Sequence, residues 1–124
     1  MRRFVMGAMI AATSQIVIAN ANDKSQSIDS GRVKSGRAVY EQYCSSCHGE
    51  KGKGDGEMGE DMDPKPANLA DADWKHGSTD GEISTVIRDG IKNTGMKSFG
   101  KKMTVHQIWD VANYVRSFGP AKSH

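Results

Sequence analysis

Apolar residues recur with a helical period in two stretches of the chain, and each stretch carries its own start and stop. Ile108, Val111, Ala112, Val115 and Phe118 form a stripe along one face of a predicted helix. Thr104 and Gln107 frame its start as a capping box, and Gly119-Pro120 end it. Trp109 and Tyr114 flank the stripe. Upstream, Ile83, Val86 and Ile87 share a face, with Thr79 and Glu82 as a second capping box and Gly90 at the stop. A third helix is expected from near Gly31 through Val39, Tyr40 and Tyr43 into Cys44. No stretch alternates as a strand, and no internal repeat is visible. The fold class is therefore all-α with long loops.

The N-terminus follows a different pattern. Met1-Arg2-Arg3 is basic, Phe4 to Ile18 is mostly apolar but broken by Thr13, Ser14 and Gln15, and Ala19-Asn20-Ala21 is a small-x-small cleavage pattern. This reads as a cleaved secretory signal peptide over 1–21. As a retained anchor the apolar run is short of the ~20 residues that span a bilayer. Residues 22–30 are polar and without period, and read as a flexible arm. Residues 31–120 form one small domain, and 121–124 a tail. The formal net charge of +2 vanishes with Arg2 and Arg3, which leaves as many basic as acidic residues. That balance excludes nucleic-acid binding through bulk charge. The mature chain, with no membrane span of its own, is expected in the periplasm, as a monomer.

Both cysteines of the chain lie in Cys44-Ser45-Ser46-Cys47-His48. This spacing is that of covalent c-type haem attachment. Two residues between the thiols let one helical turn bring both sulfurs to the vinyl edge of one porphyrin, and His48 then meets the iron. A zinc site would need further ligands from His76, His106 or His124, which show no paired spacing. A redox dithiol would sit in a βαβ setting, which is absent. A small domain poor in large apolar residues is marginal on its own core, so a buried porphyrin would also serve the fold.

After His48, Gly49, Gly52, Gly54, Gly56 and Gly59 fall close together. They suit a loop folded against the haem edge or an exposed loop. The Asp and Glu residues between them lack the EF-hand calcium pattern. Pro64-Lys65-Pro66-Ala67-Asn68-Leu69 is next. Prolines keep a segment extended with free carbonyls, and Pro66, or alternatively Pro64, is expected to accept the Nδ1–H of His48.

A haem with one histidine leaves a sixth iron position, and its occupant decides function. Met58 and Met62 follow His48 too soon for an easy return to the other face. Met103 is explained by a hydrophobic staple with Ile108. His106 lies in a first helical turn, His124 is terminal, and His76 remains open as a candidate. Met96 lies in Asn93-Thr94-Gly95-Met96-Lys97-Ser98-Phe99-Gly100, between two capped helices, and is the expected distal ligand.

The segments YEQYCSSCHG, GKGDGE, KPANLADADW, DGEISTVIRDGI, TGMKSFG and MTVHQIWDVANYVRSF resemble a small class I, monohaem c-type cytochrome over residues 33–119. The resemblance implies a cytochrome c fold of three to four helices around one covalent haem c, with first and last helices crossing. It implies thioethers at Cys44 and Cys47, iron ligation by His48 and Met96, and one-electron transfer. Many members have proline after the ligand methionine, where this chain has Lys97. The expected function is a soluble electron carrier, not an enzyme, serving redox partners such as a periplasmic dehydrogenase, a reductase or a terminal oxidase. The alternative is a haem enzyme or gas or redox sensor with an open sixth iron position, for which no distal histidine or arginine pattern speaks. Lys92, Lys97, Lys101 and Lys102 surround the methionine loop, while Asp55, Glu57, Glu60, Asp61 and Asp63 lie in the other loop. A basic rim of this kind would steer the chain towards an acidic partner.

Overall fold

The computed structural model describes residues 21–120. Helix α1 spans Ala21–Tyr43, the single turn α2 Ser45–His48, α3 Asp80–Asp89 and α4 Val105–Arg116, with a 3-10 turn at Glu57–Gly59. Among the described residues there is no strand. None of their helices is long and apolar enough to cross a membrane. The expected leader, residues 1–21, lies outside the described residues except for Ala21, and so does the tail, 121–124.

Helix α1 starts ten residues earlier than its apolar pattern, so the expected arm over 22–30 is helical instead. Helix hydrogen bonds do not require a buried face, and Asn22 to Ser30 contains no proline to interrupt them. Helix α1 packs tightly at Gly36. A Cβ there would overlap the Asp110 carbonyl oxygen of α4 and stand 2.9 Å from the Tyr114 Cβ. Only glycine lets the two backbones cross so closely. Beyond the crossing, Tyr40 packs on Tyr114 and Phe118, at ring separations of 5.4 and 5.1 Å.

Both capping boxes form. Thr79 Oγ1 accepts from the Glu82 amide at 3.2 Å, and Glu82 Oε2 accepts from the Thr79 amide at 3.0 Å. Thr104 and Gln107 repeat the exchange at 3.2 and 2.9 Å. The starts of α3 and α4 are thus set locally, and packing then orients them. Ile83 and Ile87 of α3 meet Ile108, Val111, Ala112 and Val115 of α4 in one core with Val39 and Tyr40 of α1. Met103 and Ile108 are both buried in that core, as a staple requires. Arg116 of α4 also pairs with Asp80 of α3 at 2.9 Å.

Candidate haem site

The turn that carries the two thiols is a separate short helix. The His48 amide donates to the Cys44 carbonyl at 2.9 Å, and the Cys47 amide to the same oxygen at 3.2 Å. This winding places Cys44 in the core and leaves Cys47 partly accessible. Burial, then the charge of Cys47, pushes the Cys44 thiol up to about 12, so it is protonated at neutral pH. Among the described residues there is no group of three or more His, Cys, Asp or Glu that could hold a metal ion.

The glycine loop wraps this turn. The Gly54 amide donates to the His48 carbonyl at 2.7 Å, and the Gly56 amide to the Cys47 carbonyl at 3.1 Å. Gly54 has φ +76, and a Cβ on it would lie 2.5 Å from the Pro66 carbonyl oxygen. A Cβ on Gly59 would stand 2.7 Å from the Cys47 carbonyl oxygen and 2.6 Å from the Pro66 ring. The loop is therefore close-packed against the cysteine turn on one side and the proline segment on the other. Tyr40 closes the underside, its buried hydroxyl donating to the Gly49 carbonyl at 2.7 Å.

The imidazole partner differs by one residue from the expected one. His48 Nδ1 meets the Ala67 carbonyl oxygen at 3.0 Å, and neither Pro66 nor Pro64 fills that role. The Pro66 carbonyl instead lies against Gly54 and its ring against Gly59. Pro66 thus sets the course of the segment, and the next carbonyl along reaches the ring. Burial lowers the His48 pKa, and the bond to Ala67 offsets this in part. A neutral ring donating from Nδ1 leaves the Nε2 lone pair free for a metal.

Met96 is half-buried in the loop after α3. Its amide donates to Thr94 Oγ1 at 3.1 Å, and that hydroxyl donates to the Ile91 carbonyl at 2.8 Å. The Ile91 amide donates back to the Met96 carbonyl at 3.0 Å. Further on, the Phe99 amide reaches the Ile87 carbonyl and the Gly100 amide the Arg88 carbonyl, both at 3.0 Å. Ser98 Oγ donates to the same Arg88 carbonyl at 2.6 Å. The loop is thus tied to the end of α3 without a proline at position 97. Met58, His76 and His106 are exposed, and Met103 is in the core. Lys92, Lys97, Lys101 and Lys102 are all exposed around the loop.

Two thiols on one turn, an imidazole with Nε2 free and a half-buried thioether on a separate loop suit a covalently attached, axially ligated haem. Ala67 and Thr94 carry structural parts of the site that sequence reasoning missed. Ala67 acts through its backbone, which no side-chain pattern marks. Thr94 could have been found as an ST turn two residues before Met96.

The first and last described helices, packed closely at Gly36 and Asp110, and the Cys-x-x-Cys-His turn between them are those of a class I c-type cytochrome. That is a class of electron-transfer proteins whose haem c is bound covalently. The chain belongs to the family described as cytochrome c oxidase, cbb3-type, subunit III, whose model matches residues 31–115. It is 35% identical over 100 residues to the cbb3-type cytochrome c oxidase subunit CcoP of Rhodobacter capsulatus, covering 76% of this chain and 32% of that subunit. The chain thus spans about a third of the length of that relative. Among solved structures it resembles a chain of the Kuenenia stuttgartiensis reducing HAO-like protein complex, with a TM-score of 0.67 and 27% identity over 72% of this chain and 44% of that one. It shares the fold of cytochrome cL from Methylophaga aminisulfidivorans, with a TM-score of 0.60 and 20% identity over 89% of this chain and 72% of the other.

Proposed function

We propose that the chain is an exported, periplasmic one-electron carrier. Cys44 and Cys47 would hold its haem c covalently, and His48 Nε2 and the Met96 sulfur would ligate the iron. The haem supplies reversible Fe(III)/Fe(II) chemistry. The polypeptide binds it, wraps it in a low-dielectric core and holds both ligands in place. The observation that carries the reading is the His48 Nδ1 bond to the Ala67 carbonyl at 3.0 Å. It fixes the tautomer and makes Nε2 the more basic nitrogen. A thioether on the other side favours the reduced state and a potential above that of a bis-histidine haem.

Held by both His48 and Met96, the iron would have no place for a substrate, and the haem would only take up an electron from one partner and pass it to another. The partners are redox proteins, a dehydrogenase or reductase on one side and an acceptor such as a terminal oxidase on the other. The relatives that are themselves named as oxidase subunits support the oxidase. The exposed lysines around the Met96 loop would orient an acidic partner, so electron-transfer rates should fall as ionic strength rises. Rates indifferent to salt would remove the steering.

The ligand set is tested by the far-red sulfur-to-iron band of the oxidised protein. The band should be present in the parent and absent in Met96→Ala. A band that survives in Met96→Ala would assign the sixth position to another residue.

A further inference from the structure

Met62 connects the two sides of the haem site. It follows the 3-10 turn whose Gly59 is packed on the Cys47 carbonyl, and its own amide donates to the Gly59 carbonyl at 3.2 Å. Its side chain is half-buried and runs to the methionine loop. There the sulfur occupies the space beside Gly95. A Cβ on Gly95 would lie 2.6 Å from the Met62 Sδ and 3.3 Å from its methyl carbon. Gly95 directly precedes Met96. Met58, four residues before Met62, is 65% exposed. The other ties of the methionine loop named above run to the end of α3, on its own side of the site.

We propose that Met62 is a positioning residue for the distal ligand. Its thioether fills the space that Gly95 leaves open and links the methionine loop to the segment packed on Cys47. The inference rests on Met96 being the sixth ligand. Met62 adds to that ligation by limiting how often the loop swings away. The link is one of shape and length, so an unbranched or γ-branched apolar side chain of similar reach can replace it. Gly95 does not have a left-handed φ. Alanine there is therefore tolerated by the backbone and acts by displacing Met62.

The test uses the haem-loaded protein and two readouts, the far-red band of the oxidised form and the rate of carbon monoxide binding to the reduced form. In Met62→Ala the band should weaken and carbon monoxide should bind about tenfold faster, as for a loop that has lost one partly buried contact. Met62→Leu should restore both readouts, and Gly95→Ala should reproduce the defect. If Met62→Ala fails to take up haem, Gly95→Ala carries the test alone. Lower thermal stability in Met62→Ala with band and binding rate unchanged would overturn the proposal, as would a leucine variant that fails to rescue. A parent protein without the band, or one that binds carbon monoxide at once, would instead overturn the Met96 reading beneath it.

Discussion

His48 and Met96 are held by different kinds of contact. Around His48, backbone meets backbone. Gly54 and Gly59 bring the glycine loop against the Pro66 segment and the Cys47 carbonyl with no space for a side chain. Around Met96, one flank is also close-packed backbone, where a Cβ on Gly90 would stand 2.8 Å from the Met96 carbonyl oxygen, and the other ties are side-chain hydroxyls of Thr94 and Ser98, a few amides to the end of α3, and the reach of Met62. Close-packed backbone cannot yield without overlap. Hydrogen bonds near solvent open at a net cost of about 1 kcal/mol each. The difference teaches that His48 is enclosed by close-packed backbone at Gly54 and Gly59, while the Met96 segment meets such backbone at Gly90 and otherwise depends on side chains. Changes to those side chains should therefore loosen the Met96 side more readily than the His48 side.

The largest effect should come from removing the attachment. The double change Cys44→Ser and Cys47→Ser should abolish covalent haem, seen as a polypeptide mass without porphyrin. Covalent haem in that variant would refute the assignment of the thioethers. Next is Gly54→Ala, which combines a left-handed φ with overlap of the Pro66 carbonyl oxygen. It should cost about 3 kcal/mol in denaturant unfolding. A cost near zero would mean that the histidine side is as yielding as the other.

Tyr40→Phe should have a smaller effect, about 1–2 kcal/mol at neutral pH, since it leaves the buried Gly49 carbonyl without its donor. Burial raises the Tyr40 phenol above its ordinary value of 10.0. Its contribution is then complete below pH 10 and is lost as pH rises beyond it, because the unfolded chain releases the proton first. The alkaline decline in stability should be shallower in Tyr40→Phe. An equally steep decline would place its origin elsewhere. The smallest effect belongs to Ser98→Ala on the exposed loop, about 0.5–1 kcal/mol. Its clearer readout is a modestly faster reaction with carbon monoxide.

Much of this arrangement was legible in the sequence, but unevenly. Thr79, Glu82, Thr104 and Gln107 act within a few residues of each other, so their capping boxes could be read directly and both form. Cys44, Cys47 and His48 share one turn and were equally plain. The features that escaped depend on distant chain segments. Gly36 looks like a weak helix residue until Asp110 of α4 lies across it. The acceptor for His48 was placed on Pro66 because proline is visible, whereas the bond is made by the backbone of Ala67. The helical start of α1 was missed because residues 22–30 carry no apolar stripe, and hydrogen-bonded backbone needs none. Met62 was set aside as too near His48 along the chain, yet the folded loop carries its sulfur to Gly95.

The central claim is an iron closed on both faces by His48 and Met96. It is tested most directly by adding carbon monoxide to the reduced, haem-loaded parent protein and recording the absorption spectrum. A spectrum that stays unchanged over minutes is what a six-coordinate carrier predicts. Prompt conversion to a carbon monoxide adduct would contradict it and mark the protein as one with an open iron position.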